Sequence, residues 1–155
     1  GGDKTGRAGG SPASLRRLVE GDGHEGGMDG GNPVSYAVDR ARGFIIEVWR
    51  GAVTATDLHL YWQSFLADPE VLAIRRTLAD LRAAEIRFTG QELSDLVLGV
   101  VLPRLGGRDW KTAIVVDQPI QFGVSRQYQV FADRYSTDCI FHDPEEAIGW
   151  LLGLP

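Results

Sequence analysis

The chain has 155 residues, 43% of them hydrophobic, and a formal net charge of -5, which is enough apolar material for one core and hardly for two. Its arginines are scattered among acids and form no stripe that could track a phosphate backbone, which argues against a nucleic-acid partner. Cys139 is the only cysteine, so an internal disulfide and a multi-thiolate metal site are excluded and a reducing cytoplasm fits; no apolar run approaches the ~20 residues that span a bilayer.

Residues 1–32 are rich in glycine and lack apolar periodicity outside SPASLRRLVE, so they read as a disordered tail ahead of one domain over 33–155. They contain no h-region of a signal peptide. Met28, the only methionine, stands just before the patterned part and is a candidate translation start. From Val34 the pattern changes. VSYAV alternates, DRARG turns with Gly43 as its end, and FIIEVWRG is a second strand that Gly51 stops, so an antiparallel hairpin is predicted. VTATDLHLYWQSFLADP follows as a helix, with Thr54 and Asp57 at its start, Leu58, Tyr61, Trp62 and Phe65 on its apolar face, and Asp68-Pro69 at its end.

A third strand is predicted over 77–81, running into the polar edge of TLADLRAAEIRFTGQEL. Thr89 then caps a helix with Glu92 as its N3 partner, a T-x-x-E capping box. Leu93, Leu96, Val97, Val100 and Val101 give that helix its buried face, Pro103 disrupts it and Gly106-Gly107 closes it. KTAIVV is a short continuous apolar run, typical of a strand buried on both faces. DQPIQFGVSRQYQVFADRY reads as a helix weakened at Gly123, with Asp117 as its N-cap. CIFHDPEEAIGWLLGL is a strand and a last helix, with Asp143, Pro144 and Glu146 at N-cap, N1 and N3. The order β-β-α-β-α-β-α-β-α predicts an α/β layer with an antiparallel entry hairpin, then parallel strands, in a mixed five-stranded sheet covered by about four helices.

GFIIEVWRG, LADLRAAE, TAIVV and FHDPEEAIGWLL, in this element order, resemble the STAS superfamily in its SpoIIAA-like branch, over 34–154. The resemblance implies a non-enzymatic regulatory module of the anti-sigma-factor-antagonist type, switched by phosphorylation of a serine in a D-S-[ST]-G segment after the third strand. Phe88-Thr89-Gly90 stands at that place, with Arg87 and Phe88 where the aspartate and serine are expected, so the phosphoacceptor carries over only as Thr89. An unidentified protein partner is expected at an edge made by Asp80, Arg82, Thr89 and Gly90. Relatives in the branch are similar to lipid carriers, which implies an alternative: a small apolar ligand held among Trp62, Phe65, Phe88, Phe122, Tyr128 and Trp150.

Chemistry of other kinds finds little footing. Asp80, Asp117 and Asp143 each fall at a strand end and could approach one edge, yet they lie on separate loops without a dense ligand motif, so no metal site is expected. Cys139 and His142 sit at an odd spacing, which in a strand points them to opposite faces. There is no G-x-S-x-G elbow, P-loop or G-x-G-x-x-G. No cofactor and no catalytic residue are assigned.

Overall fold

The structure, a computed structural model, describes residues 31–105 and 109–154. The expectations for residues 1–30 and for Gly106-Gly107 lie outside them. Strand β1 (Val34–Asp39) and strand β2 (Phe44–Thr54) form the predicted antiparallel hairpin, closed where Gly43, at φ 79°, donates its N–H to the Asp39 carbonyl. Strands β3 (Arg76–Arg87), β4 (Trp110–Val115) and β5 (Ser136–Phe141) then add in sequence order, each parallel to its neighbour.

Gly51 does not stop β2. The register shifts between Val48 and Arg50, Gly51 takes a φ of 73°, and the strand runs on to Thr54. A glycine inside a strand marks a bulge as often as an end. Likewise β3 does not end at Leu81. Its last pairing with β4 is Asp80 to Val115, but Ala83–Arg87 continues against Arg50–Thr54 of β2 alone. Alternating exposure along AAEIR, with charged side chains outward, gives this extension its strand pattern.

Helix α1 (Ala55–Phe65) starts at a reciprocal capping box: Thr54 Oγ1 accepts from Asp57 N, and Asp57 Oδ2 accepts from Thr54 N at 2.9 Å. Asp68-Pro69 opens rather than merely terminates, since Asp68 caps a short helix α2 (Pro69–Ile74) and also accepts from Tyr36 Oη at 2.6 Å. Helix α3 (Gly90–Leu96) passes into a π-helical turn (Val97–Val101) and then α4 (Leu102–Leu105). Pro103 therefore does not break the run. It sits at the start of α4, after a π turn that has already loosened the i to i−4 ladder.

Helix α5 (Pro119–Ala132) continues through Gly123, and α6 (Pro144–Leu152) starts at the predicted Asp143 cap, whose Oδ1 accepts from Glu145 N at 3.0 Å. Gln118, not Asp117, is the N-cap of α5. There Gln121 reaches back so that its Oε1 accepts from both Asp117 N and Gln118 N. The layers are unequal. One face of the sheet carries α1 to α5 over a core built on Tyr61, Phe65, Leu58, Leu81 and Trp110, whereas the other is covered by α6 through Ala147, Ile148 and Leu151 against Phe44, Ile46, Leu78 and Val115. No described helix is long and apolar enough to cross a membrane.

Candidate functional site

Three stations of polar chemistry stand out, and only two of them were anticipated. The first is the carboxyl edge of β3 and β4. Arg82 folds back on Asp80, its Nε 2.9 Å from Oδ1 and its Nη2 2.9 Å from Oδ2, with the Arg82 backbone N–H also on Oδ1. Both side chains are largely covered, 11% and 8% exposed. Burial works against the Arg82 charge, but Asp80, then Asp117 and Asp143, outweigh it and hold the guanidinium more firmly protonated than usual. The three aspartates at the strand ends thus share the field of one arginine. Among the described residues no group of three or more His, Cys, Asp or Glu is arranged to hold a metal.

Gln121, fully buried, ties this edge together. Its Nε2 donates to the Arg82 and Ala84 carbonyls while its Oε1 takes the two N–H groups ahead of α5. Around it the surface is apolar and acidic. Ile120 is 54% and Phe122 41% exposed, and Phe122 stacks on His142, whose Nδ1 lies 3.1 Å from the Val116 carbonyl. Asp117 and Asp143, just ahead of α5 and α6, and Glu146, in the first turn of α6, are exposed.

The second station is Thr89-Gly90. Thr89 Oγ1 accepts from Glu92 N at 3.1 Å and Glu92 Oε1 accepts from Thr89 N at 2.9 Å, the predicted capping box. Gly90 abuts α5 so closely that a methyl there would meet Gln127 Nε2 at 2.6 Å. Gln127 lies six residues along α5 from the Gln121 that holds Arg82, about 9 Å at 1.5 Å per residue. Asp80 with Arg82, and Thr89 with Gly90, are therefore neighbouring stations along one helix, and no hydrogen bond joins them.

The third station was missed. Glu47, in the middle of β2, is 5% exposed, with Oε1 accepting from Trp49 Nε1 at 2.9 Å and Oε2 from Tyr61 Oη at 2.7 Å. Burial raises its pKa above the usual carboxylate range, and the two donors offset part of the rise. The Tyr61 hydroxyl is pushed well up by burial and by Glu47. Glu47 lines a cavity of about 70 Å³ between the sheet and α1, α3 and α5. Trp62, Phe65, Phe88 and Tyr128 of the expected aromatic set line it, together with Trp49 and Trp110.

Phe122 and Trp150 do not. Phe122 belongs to the carboxyl edge, and Trp150 lies across the sheet on α6, packed on Phe141 with the Lys111 ammonium 4.4 Å from its ring centre. Helical spacing told that these rings sit on amphipathic helices but not which face of the sheet each helix covers. The signal for Glu47 was present: FIIEVW is a continuous apolar run, which means burial on both faces, so its one acid had to be interior.

This arrangement defines the class: a mixed five-stranded α/β sandwich with an antiparallel entry strand, the SpoIIAA-like fold. A crystal structure of an uncharacterised protein of the DUF3478 family with a SpoIIAA-like fold, from Shewanella loihica PV-4, superposes with a TM-score of 0.53 at 16% identity, over 80% of this chain and 98% of that one. No family model and no curated protein matches the chain.

Proposed function

We propose that the protein is a non-enzymatic interaction module that docks a protein partner on the carboxyl edge of its sheet, at the start of α5. The observation that carries this reading is the pair of exposed apolar side chains, Ile120 and Phe122, set beside Asp117, Asp143 and Glu146. Apolar anchors inside a charged rim are how recognition surfaces are composed. The excess of acids there, in a chain of net charge -5, fits a partner surface that is apolar at its centre and basic at its margin. Asp80 and Arg82 support this edge from beneath, because their charges are spent on each other.

Thr89 adds a switch to the same reading. A phosphate on its hydroxyl would bring about -1.5 to -2 charges against the Glu92 carboxylate, whose Oε1 lies 3.4 Å from Oγ1. The capping box would open and α3 would lose its N-terminal anchor against α5. The test is capture by immobilised protein, wild type beside Ile120→Asp/Phe122→Asp. A partner held by the wild type, weakened by salt and lost from the variant supports the edge; a partner held equally by both removes it.

A second reading, a small-ligand sensor, is favoured by the cavity at Glu47. At about 70 Å³ it is several-fold below the ~300–1,000 Å³ of pockets for drug-sized ligands, so it takes no lipid chain and the expected apolar ligand narrows to a far smaller molecule.

A further inference from the structure

We propose that the Glu47 cavity is a binding site for a small alkylammonium ion of about four non-hydrogen atoms, with Glu47 as its counter-ion and the surrounding indole and phenyl rings as its walls. The inference rests on the small-ligand reading and is independent of the docking edge. The volume of about 70 Å³, several-fold below the ~300–1,000 Å³ of pockets for drug-sized ligands, limits the guest to a few non-hydrogen atoms.

Its charge follows from the lining. Glu47 is the only residue of the lining that carries a charge, and no cation contributes to it. A carboxylate or phosphate guest would therefore meet a like charge with nothing to offset it. Glu47 itself is a buried acid with no counter-ion among the described residues, a costly arrangement unless something supplies one. Its two oxygens each hold one hydrogen bond, from Trp49 and from Tyr61, and a carboxylate has about four acceptor sites, so about two remain for a guest that donates. Trp49, Trp62, Trp110, Phe65 and Phe88 offer aromatic surface around that position, the surroundings in which ammonium ions are stabilised by ring quadrupoles.

The hydroxyls of Thr77, 5% exposed on the sheet face, and of Tyr128, on α5, extend the polar side of the lining. Phe88, Thr112, Val124 and Tyr128 are the half-buried members of the wall. Above it runs the helix with the π turn, which contributes Val101; such turns recur at functional sites because they loosen a helix locally.

Binding is coupled to protons. Burial holds a proton on Glu47 of the empty cavity more tightly than usual, and an ammonium favours the carboxylate, so affinity rises with pH. The other titratable groups that face Glu47 are Tyr61 on α1, with Tyr36 behind it on β1, and Tyr128 on α5, with Asp138 beside it on β5. The three tyrosines are all raised by burial and stay neutral across the range.

The experiment is a titration of the full chain, by intrinsic fluorescence, with n-propylammonium chloride, 1-propanol and sodium propionate at pH 7.5 and constant ionic strength. Three of the four tryptophans, Trp49, Trp62 and Trp110, line the cavity and report occupancy directly. The expected result is a saturable change with n-propylammonium at a Kd of about 0.1–10 mM, the range open to so small a guest. The alcohol and the carboxylate should bind at least tenfold more weakly, and so should n-propylammonium to Glu47→Gln. That variant can keep both partners, because its amide accepts from Trp49 and donates to the Tyr61 oxygen, so the fold is preserved; a cooperative melt no lower than that of the wild type checks it. Equal responses to 1-propanol and n-propylammonium, or undiminished binding by Glu47→Gln, would overturn the ammonium assignment while leaving a small-ligand site. Silence toward all three probes would remove both.

Discussion

Replacing Glu47 by alanine isolates what a buried acid does for this fold. The carboxylate is the acceptor for two buried donors, Trp49 Nε1 and Tyr61 Oη, at 2.9 and 2.7 Å. Removing it orphans both. An unsatisfied buried donor costs about 1–3 kcal/mol, so the two together cost about 2–6 kcal/mol, with a further loss of packing. Two effects pull toward the lower end: a buried acid without a counter-ion is itself unfavourable and is relieved by its removal, and the adjoining cavity is large enough to admit a water that replaces one acceptor. The expected cost is ~3 kcal/mol. Glu47→Gln serves as the comparison, since it keeps both bonds with the Tyr61 hydroxyl reversed and should lie within ~1 kcal/mol of wild type.

Urea unfolding at pH 7 of the three proteins measures this, with an unchanged denaturant slope confirming that stability alone has moved. The sign of the pH dependence is a second check. The folded pKa of Glu47 is raised, so the native state binds the proton more tightly than the unfolded chain, and stability falls as pH rises through the folded value. Glu47→Gln lacks that fall, so its advantage over wild type grows toward alkaline pH. If alanine and glutamine prove equally stable, Glu47 is not the acceptor on which Trp49 and Tyr61 depend.

Three further outcomes are expected. Asp138 is raised by burial from its ordinary 3.8 to about 6, with Ser136 and Thr112 hydrogen bonds only partly offsetting it and Oδ2 without a partner. Its contribution is therefore most favourable below pH 4 and is lost as pH rises through about 6; Asp138→Asn should gain ~1–2 kcal/mol over wild type at pH 8, after allowance for partial exposure, and nothing at pH 4, by thermal melts. Arg82→Ala leaves the Asp80 carboxylate covered and unpaired, so it should lose ~3 kcal/mol of stability in urea and acts on the docking edge only by deforming it. Thr89→Ala removes one side of the α3 capping box and should cost ~1 kcal/mol, seen as faster hydrogen exchange confined to α3.

The fold was largely legible because its cues are local. Alternation in VSYAV, the continuous run of TAIVV, the Thr54 and Thr89 boxes and Asp143-Pro144 each act within a few residues, and all appear where the pattern put them. What was misread depended on neighbours. The extension of β3 through Arg87 is polar in composition and forms because β2, beyond its register shift between Val48 and Arg50, offers Arg50–Thr54 as a partner. The short α2 arises because Asp68, three residues past the end of α1, has the cap geometry to restart the helix. Glu47 and Trp150 show the same limit from the side of the site. One position's burial can be read from its own strand, whereas the face of the sheet a helix covers is decided by the whole connection.

The edge at the start of α5 is the surface we propose to meet a partner. Hydrogen exchange of the chain, alone and saturated with a captured partner, tests that most directly. Protection should be gained over residues 117–122 and 142–146, with the β1 side of the sheet unchanged; protection confined to β1 and α2, with the α5 edge exchanging as before, would place the partner elsewhere.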